Sequence, residues 1–397
     1  MGRVDVYTKV EVAELMAKLA GIKNGDSVID MSVGSGNLLL GVIKTTNNPK
    51  SLRLFGFDID KNSLVKSNLN LKKFNYISIL QNSLDLFKDK QNLYDVSILN
   101  PPWNLPIGQY SKILQVKGKI LYQDWIWMFV SSNIAKRKSV VIESQSVLSR
   151  IKGEFQLRKK IIEMNIIEAI INLSNNAFEN AKLDSAIIIF NKNKINDKIL
   201  FVDGSNLDKN EILKIVKNQK EIPKISRSVN LDEIAKNNFN LNPIIYVLSE
   251  DKSKYKIKDV FDIITNGIKP KIFVKQNKNR IPWITINDIK NYDGEFIEKT
   301  SFFIDKNEVI KKHVSGVPKN SLILTGRATI GKIAITKEFS SFDRGCIALV
   351  PKNKNIDVKK YINNIRKTII ISKMSMPGTI YKSLAKKYIE NLSIDFP

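Results

Sequence analysis

The chain has 397 residues, 43% hydrophobic and 26% charged, with 64 basic against 39 acidic side chains for a net charge of +25. That length points to two or three domains of roughly 150 residues each, and the composition excludes wholesale disorder. A single cysteine, Cys346, and a single histidine, His313, exclude an internal disulfide and a zinc site of the usual ligands, and leave any catalysis to carboxylates, amides, aromatics or a bound cofactor.

In chain order, residues 8–20 place Val12, Leu15, Met16 and Leu19 on one stripe and read as a helix that ends at Gly21. SVIDM (27–31) reads as a short strand, followed by a glycine-rich turn and an apolar stretch at Leu38–Ile43. LRLFGFDID (52–60) is a second strand, Lys61–Lys72 a helix, and YISILQ (76–81) and YDVSILN (94–100) further strands. SVVIESQ (139–145), a helix over 154–163, IIEAIINL (166–173) and LDSAIIIFNK (183–192) extend the same alternation. The pattern predicts an α/β fold with an open parallel sheet. Residues 191–250 are rich in Lys, Asn and Ile with weaker periodicity, and prolines at 223 and 243 suggest a linker over 240–255. From 255 onward short strands and turns predict a separate, mixed but mostly β domain. No apolar run approaches the ~18 residues of a membrane span, and the N-terminus lacks a secretory pattern. A cytoplasmic protein with no membrane partner is the expectation.

Charge is distributed unevenly. Residues 251–397 carry 29 basic and 14 acidic side chains, against 35 and 25 in residues 1–250. Per residue, the C-terminal part is about two and a half times as basic, which points to a polyanion and most simply to nucleic acid.

Two motifs carry chemistry. A strand ending in Asp30, then Gly34-Ser35-Gly36, then a helix, brings backbone N–H groups close to a nucleotide-like ligand. Asp58, at the end of the next strand, is placed to accept both ribose hydroxyls, with Asp60 as the competing candidate. The third glycine of a dinucleotide motif is missing, since Asn37, Leu38 and Leu39 follow Gly36; this favours a smaller ligand such as S-adenosylmethionine. Asn82, after the third strand, is placed to hydrogen-bond an adenine amine.

The second motif is Asn100-Pro101-Pro102-Trp103, directly after a strand. Two prolines hold the chain extended, so the Asn100 side chain projects from the sheet edge. Methylation of an aromatic amine requires drawing a delocalised lone pair out of the ring plane. The Asn100 side-chain oxygen and the Pro101 backbone oxygen suit that task by accepting both amine hydrogens, while Trp103 offers a flat face to a base removed from its helix. No histidine is needed.

With these residues in place the chain resembles the N6-adenine DNA methyltransferases, specifically the modification subunits of type I restriction–modification systems. Tyr7-Thr8 resembles the family's first methionine-contacting motif, with Lys9 where proline is common. DMSVGSG (30–36) resembles the glycine-rich cofactor motif, with Met31 for a usual proline, and LQNSLDLF (80–87) departs from its family motif by Asn82 for aspartate. Asn100–Trp103 matches the catalytic motif in full. SVVIESQSVLSR, KLDSAIIIFNK and FNLNPIIY extend the likeness to about residue 250. The order of motifs implies the gamma arrangement, in which target recognition follows C-terminally. IPWITINDI, PKNSLILTGRATIGKIAIT and YIENLSIDFP resemble one target-recognition domain of a type I specificity subunit.

The resemblance implies a Rossmann-like AdoMet-dependent methyltransferase domain over 1–245, a linker over 246–254, and a DNA target-recognition domain over 255–397. The implied cofactor ligands are Tyr7, Thr8, Asp30, Gly34, Ser35, Gly36, Asp58, Asn82 and Asn100. Catalysis falls to Asn100, Pro101, Pro102 and Trp103, with no metal. Arg327, Lys332 and Arg344 are the candidates to reach DNA bases or phosphates. The implied partners are double-stranded DNA and either a second copy of the chain or a separate specificity or nuclease subunit. The helix that usually follows such a recognition unit is missing, and no nuclease domain precedes residue 7, so DNA cleavage by this chain alone is not expected. Two other readings stand: a methyltransferase acting on RNA or on a protein glutamine, and an inactive core serving as a DNA-binding module.

Overall fold

The short apolar runs of the first half become strands of one sheet, covered by helices on both faces. A computed structural model divides the chain into two units, Met1–Glu250 and Asp251–Pro397. The residues it describes are 8–88, 91–108, 110, 121–150, 154–173, 177–179, 181, 183–247, 255–265, 267, 270, 273–274, 279–307, 316–326, 331–375, 386–390 and 392–394. Tyr7, His313 and Arg327 lie outside them.

The first unit runs α1 (Val10–Ala20), β1 (Ser27–Asp30), α2 (Asn37–Thr45), β2 (Arg53–Asp58), α3 (Lys61–Leu71), β3 (Tyr76–Leu80), β4 (Tyr94–Leu99), α4 (Asp124–Ile134) and β5 (Ala135–Ser144). It continues with α5 (Phe155–Glu163), β6 (Ile167–Leu173), β7 (Ser185–Asn191), β8 (Lys198–Asp203), α6 (Lys209–Lys217), β9 (Ser226–Asn230), α7 (Leu231–Lys236) and α8 (Pro243–Val247). All nine strands form one sheet in the order β3-β2-β1-β4-β5-β7-β6-β8-β9.

Alternation along each strand divides the core into two layers. On one face Val28, Leu54, Val96, Ile98, Val140, Ile142, Ile187 and Ile189 pack with the apolar stripes of α1, α2, α3 and α6. The opposite face is covered by α4 and α8: the Ser97 and Ser131 hydroxyls bond at 2.8 Å, and Tyr246 stacks on Phe201 at 4.2 Å. Because both faces are buried, the central strands are apolar almost throughout.

The sheet is mixed, where a parallel sheet was expected. Strands β1 to β5 pair in parallel, but β7 is antiparallel to both β5 and β6. The chain between β6 and β7 is too short for a crossover helix, so β7 returns as an antiparallel strand. The chain reverses direction across the sheet at β1, which lies between β2 and β4. Such a switch point opens a crevice beyond the strands' carboxyl ends.

The segment expected as a linker over 240–255 is, in its first half, part of this core. Leu241, Ile245 and Tyr246 are buried, and Pro243 opens helix α8, where its missing N–H costs nothing.

The second unit is mixed, with strands predominating. A four-stranded sheet joins β11 (Phe261–Ile264), β17 (Cys346–Pro351), β14 (Leu322–Thr325) and β15 (Ile333–Ile335). A three-stranded sheet joins β13 (Phe302–Asp305), β12 (Arg280–Ile284) and β16 (Ser341–Phe342). Its first and last strands, β10 (Tyr255–Lys256) and β18 (Ser393–Ile394), pair antiparallel. The helix Ile362–Ser375 buries Ile362, Ile365 and Ile369 in one core with β11, β14, β15 and β17. Among the described residues no helix is long and apolar enough to cross a membrane.

Candidate active site

Of the residues that the sequence singled out, Asp30, Asp58, Asn82 and Asn100 stand at or just past the carboxyl ends of β1, β2, β3 and β4. Asp30 ends β1 fully buried, with Oδ1 accepting the Ser32 N–H at 3.0 Å. Burial, reinforced by the neighbouring charge of Asp58, pushes its pKa up to about 7. The chain then turns through Gly34 (φ 52°) and Gly36 (φ 90°), both in the left-handed region that favours glycine. Gly36 caps α2, and a β-carbon there would stand 3.1 Å from Leu71 Cδ1. The Ser35 hydroxyl is turned back onto Asn37 Oδ1 at 3.0 Å.

Asp58 ties this turn to the next strand. Its Oδ2 accepts the Gly34 N–H at 2.9 Å, and its Oδ1 accepts the Asp60 N–H at 2.9 Å. Asp60, the rival ribose acid, instead caps α3 by accepting from the N–H groups of Asn62 and Ser63. Asp60 also accepts from the Ser63 hydroxyl at 2.8 Å, and that bond first, with the backbone bonds after it, lowers its pKa.

Asp58 and Asn82 face one cleft of about 100 Å³, lined also by Met31, Ser32, Ile59, Pro102 and Trp127. Asn82 donates to the Tyr110 hydroxyl at 2.7 Å and accepts the Leu84 N–H at 3.1 Å. Tyr110 in turn donates to Asp85 at 3.3 Å. Tyr110 was not legible as a site residue, because the sequence around it has neither helical nor strand periodicity. A carboxylate and an amide on one cleft, with a glycine turn bonded to that carboxylate, fit an adenosine-bearing cofactor.

Asn100 leaves β4 at the same edge. Its Nδ2 donates to Thr8 Oγ1 at 3.1 Å, which fixes the orientation of the amide. Thr8 is buried, and its carbonyl accepts from Asn37 at 3.4 Å. A residue expected only as a cofactor contact thus braces the Asn100–Trp103 turn. Trp103 meets Phe178 edge to face, with ring centroids 5.1 Å apart and planes at 82°. Phe178 also pairs with Thr8 through the backbone. Sequence reasoning missed Phe178, because its aromatic partner lies far back along the chain.

In the second unit, Lys332 donates to Asp293 Oδ2 at 2.8 Å, and Arg366 donates to Asp293 Oδ1 at 2.6 Å. Those bonds hold Asp293 below the usual carboxylate range, despite partial burial. Lys332 is therefore tied into this unit's own structure. Arg344 is exposed in the turn between β16 and β17, where Gly345 O accepts the Gly326 N–H at 2.8 Å.

A family model described as N-6 DNA methylase matches residues 2–255. The chain belongs to this family. A second model, the type I restriction modification DNA specificity domain, matches residues 249–397. As an N-6 DNA methylase, the chain is similar to the MjaVII type I restriction enzyme methylase subunit of Methanocaldococcus jannaschii. They are 29% identical over 293 residues, covering 63% of this chain and 50% of that one. The MpnII methylase subunit of Mycoplasma pneumoniae is 26% identical over 299 residues, covering 64% and 55%. The MjaIX specificity subunit of Methanocaldococcus jannaschii is 28% identical over 154 residues, covering 38% of this chain and 35% of that one. The chain spans about half the length of the curated methylase subunits that it matches.

Among solved structures, a type I restriction-modification methyltransferase subunit from Streptococcus thermophilus superimposes with a TM-score of 0.55. It is 23% identical and covers 61% of this chain and 59% of that one. The type IIG restriction endonuclease BpuSI gives a TM-score of 0.56 at 13% identity, covering 100% of this chain and 59% of its own. These likenesses support the fold.

Proposed function

We propose that the chain is an S-adenosylmethionine-dependent adenine-N6 methyltransferase acting on duplex DNA within a restriction–modification or related defence system. In this reading residues 1–245 carry the chemistry, and residues 255–397 read the target sequence. The observation that carries it is the convergence of Asp58, Asn82 and Pro102 on one cleft, with the amide of Asn100, two residues before Pro102, held by Thr8.

When bound, S-adenosylmethionine supplies an electrophilic methyl group on a sulfonium. Asp58 would hold its ribose hydroxyls and Asn82 its adenine, and the Gly34–Gly36 turn would admit it close to the backbone. The Asn100 side-chain oxygen and the Pro101 carbonyl accept the two hydrogens of the target amine and expose its lone pair. Trp103, backed by Phe178, faces the extruded base. These residues contribute orientation and hydrogen bonding, terms that suffice where the methyl donor is already activated. The basic character of residues 251–397 supports a nucleic-acid partner, and the likeness of residues 249–397 to a specificity domain favours duplex DNA. A second copy of the chain, or a separate specificity or nuclease subunit, is the expected protein partner.

The test is to incubate the purified chain with labelled S-adenosylmethionine and, in turn, duplex DNA, RNA and bulk protein. Label in N6-methyladenine from duplex DNA alone is the expected result. Label in RNA or in glutamine, with none in DNA, overturns the choice of acceptor.

A further inference from the structure

Behind the Asn100–Trp103 turn lies a charged cluster that this chemistry does not use. Asp124, the first residue of α4, is fully buried. Its Oδ1 accepts the backbone N–H of Asn104 at 2.8 Å, and its Oδ2 accepts from Arg150 at 3.0 Å. Arg150 also donates to Glu154 at 3.3 Å, to Ser146 Oγ at 2.8 Å, and to the side-chain oxygen of Asn104. Its guanidinium stands 5.1 Å from the centre of the Tyr122 ring. Asn104, the residue after Trp103, is thus gripped at both backbone and side chain. It needs that grip, because its φ of 58° is left-handed, a region that asparagine tolerates and most residues avoid.

The cluster extends further into the core. Glu143 on β5 and Glu154 at the start of α5 are buried beside Asp124 and Arg150. Arg158 on α5 donates to the carbonyls of Arg150 and Phe239, both at 2.7 Å. Three carboxylates therefore share two guanidiniums, and burial drives Glu143 well above the usual carboxylate range and Glu154 up to about 7. Replacing buried charged groups of this kind by well-packed apolar side chains is often neutral or stabilising. What the arrangement does supply is a fixed position for Asn104.

From this geometry we infer that Arg150, braced by Asp124, is a positioning residue for methyl transfer. It touches no reacting atom. By holding Asn104 it sets where the Asn100 and Pro101 oxygens stand, and so it rests on the role proposed above for that motif. Beyond Asn104 the chain has an independent anchor, since Gln123 N–H donates to Leu105 O at 2.8 Å and Ile107 N–H to Leu121 O at 3.0 Å. Loss of Arg150 therefore frees the corner without detaching the loop.

The test uses the full chain with Arg150→Ala, Arg150→Lys and Asn104→Gly. The last keeps the left-handed backbone and its bond to Asp124 but removes the side-chain bond. Hydrogen exchange at the Asn104 amide should quicken by about tenfold or more in Arg150→Ala, while exchange within α4 stays unchanged. In the same variant kcat should fall by roughly 10- to 100-fold, with KM for S-adenosylmethionine changed by less than about threefold. Arg150→Lys, which keeps the charge toward Asp124, should recover part of both effects, and Asn104→Gly should fall between wild type and Arg150→Ala. Unchanged exchange at Asn104, a kcat within about twofold of wild type, or faster exchange throughout α4 would each overturn the inference. If the wild-type chain transfers no methyl group to DNA, the proposed function fails, and the exchange measurement still decides whether Arg150 holds the turn.

Discussion

Asp30 shows what the site demands of a single side chain. It sits at the end of β1 with 1% of its surface exposed, where burial and then the charge of Asp58 raise its pKa from 3.8 to about 7. The folded chain thus binds a proton over a range in which the unfolded chain has lost it. Stability from this group is greatest below pH 4 and falls as pH rises towards 7, by about 1.4 kcal/mol per unit. Denaturant melts of wild type and Asp30→Asn at pH 5 and pH 8 should differ accordingly. The variant should gain on the order of 3 kcal/mol relative to wild type across that interval, and identical pH dependence in both would contradict the assignment. At this scale the sequence was informative where spacing alone decides, as for Asp58 after its strand and Asn100 before two prolines. It was silent where a contact joins distant segments. Thr8 against Asn100, Trp103 against Phe178 and Arg150 against Asn104 are all pairings that only the closed sheet creates.

Among the elements, the glycine turn is the most exacting. Gly36 has φ 90° and caps α2 with Leu71 close by. Gly36→Ala should therefore destabilise the first unit by about 1–2 kcal/mol, and a thermal melt with and without S-adenosylmethionine reads both consequences. Lower stability with weaker stabilisation by the ligand is expected, whereas an unchanged response to the ligand would separate this turn from cofactor binding. Strands β1 to β4 were readable because each is a short apolar run bounded by turn residues, even though β3, at the edge of the sheet, leaves Ile77 and Leu80 exposed. The elements from β8 to α8 were not. In α6, Asp208 and Glu211 form a capping box and Ile212, Ile215 and Val216 are buried, but the exposed lysines around them gave the segment the texture of a polar connection. Pro243 misled in the same way, since a proline at a helix start resembles one in a linker.

At the scale of the whole molecule, charge separates the two units. The excess of basic over acidic side chains in residues 251–397 should make DNA affinity fall steeply with salt, by at least about tenfold between 50 and 200 mM. A filter-binding series checks this, and a flat response would remove phosphate contact as the source of affinity. Not all of that charge is available, because Lys332 and Arg366 pair with Asp293, Lys337 with Glu298 and Lys359 with Glu295. The change in texture near residue 250 made the two-unit organisation legible, while these ion pairs depend on how the second unit folds and were not.

The most direct measurement compares methyl transfer to duplex DNA by wild type and Asn100→Ala, with S-adenosylmethionine binding followed by calorimetry. Asn100 stands at the carboxyl end of β4 with its amide held by Thr8, and in the proposed mechanism its side-chain oxygen is one of the two acceptors for the target amine. The rate should fall by at least about 100-fold with cofactor affinity retained. A variant that keeps more than about a tenth of wild-type activity would contradict it.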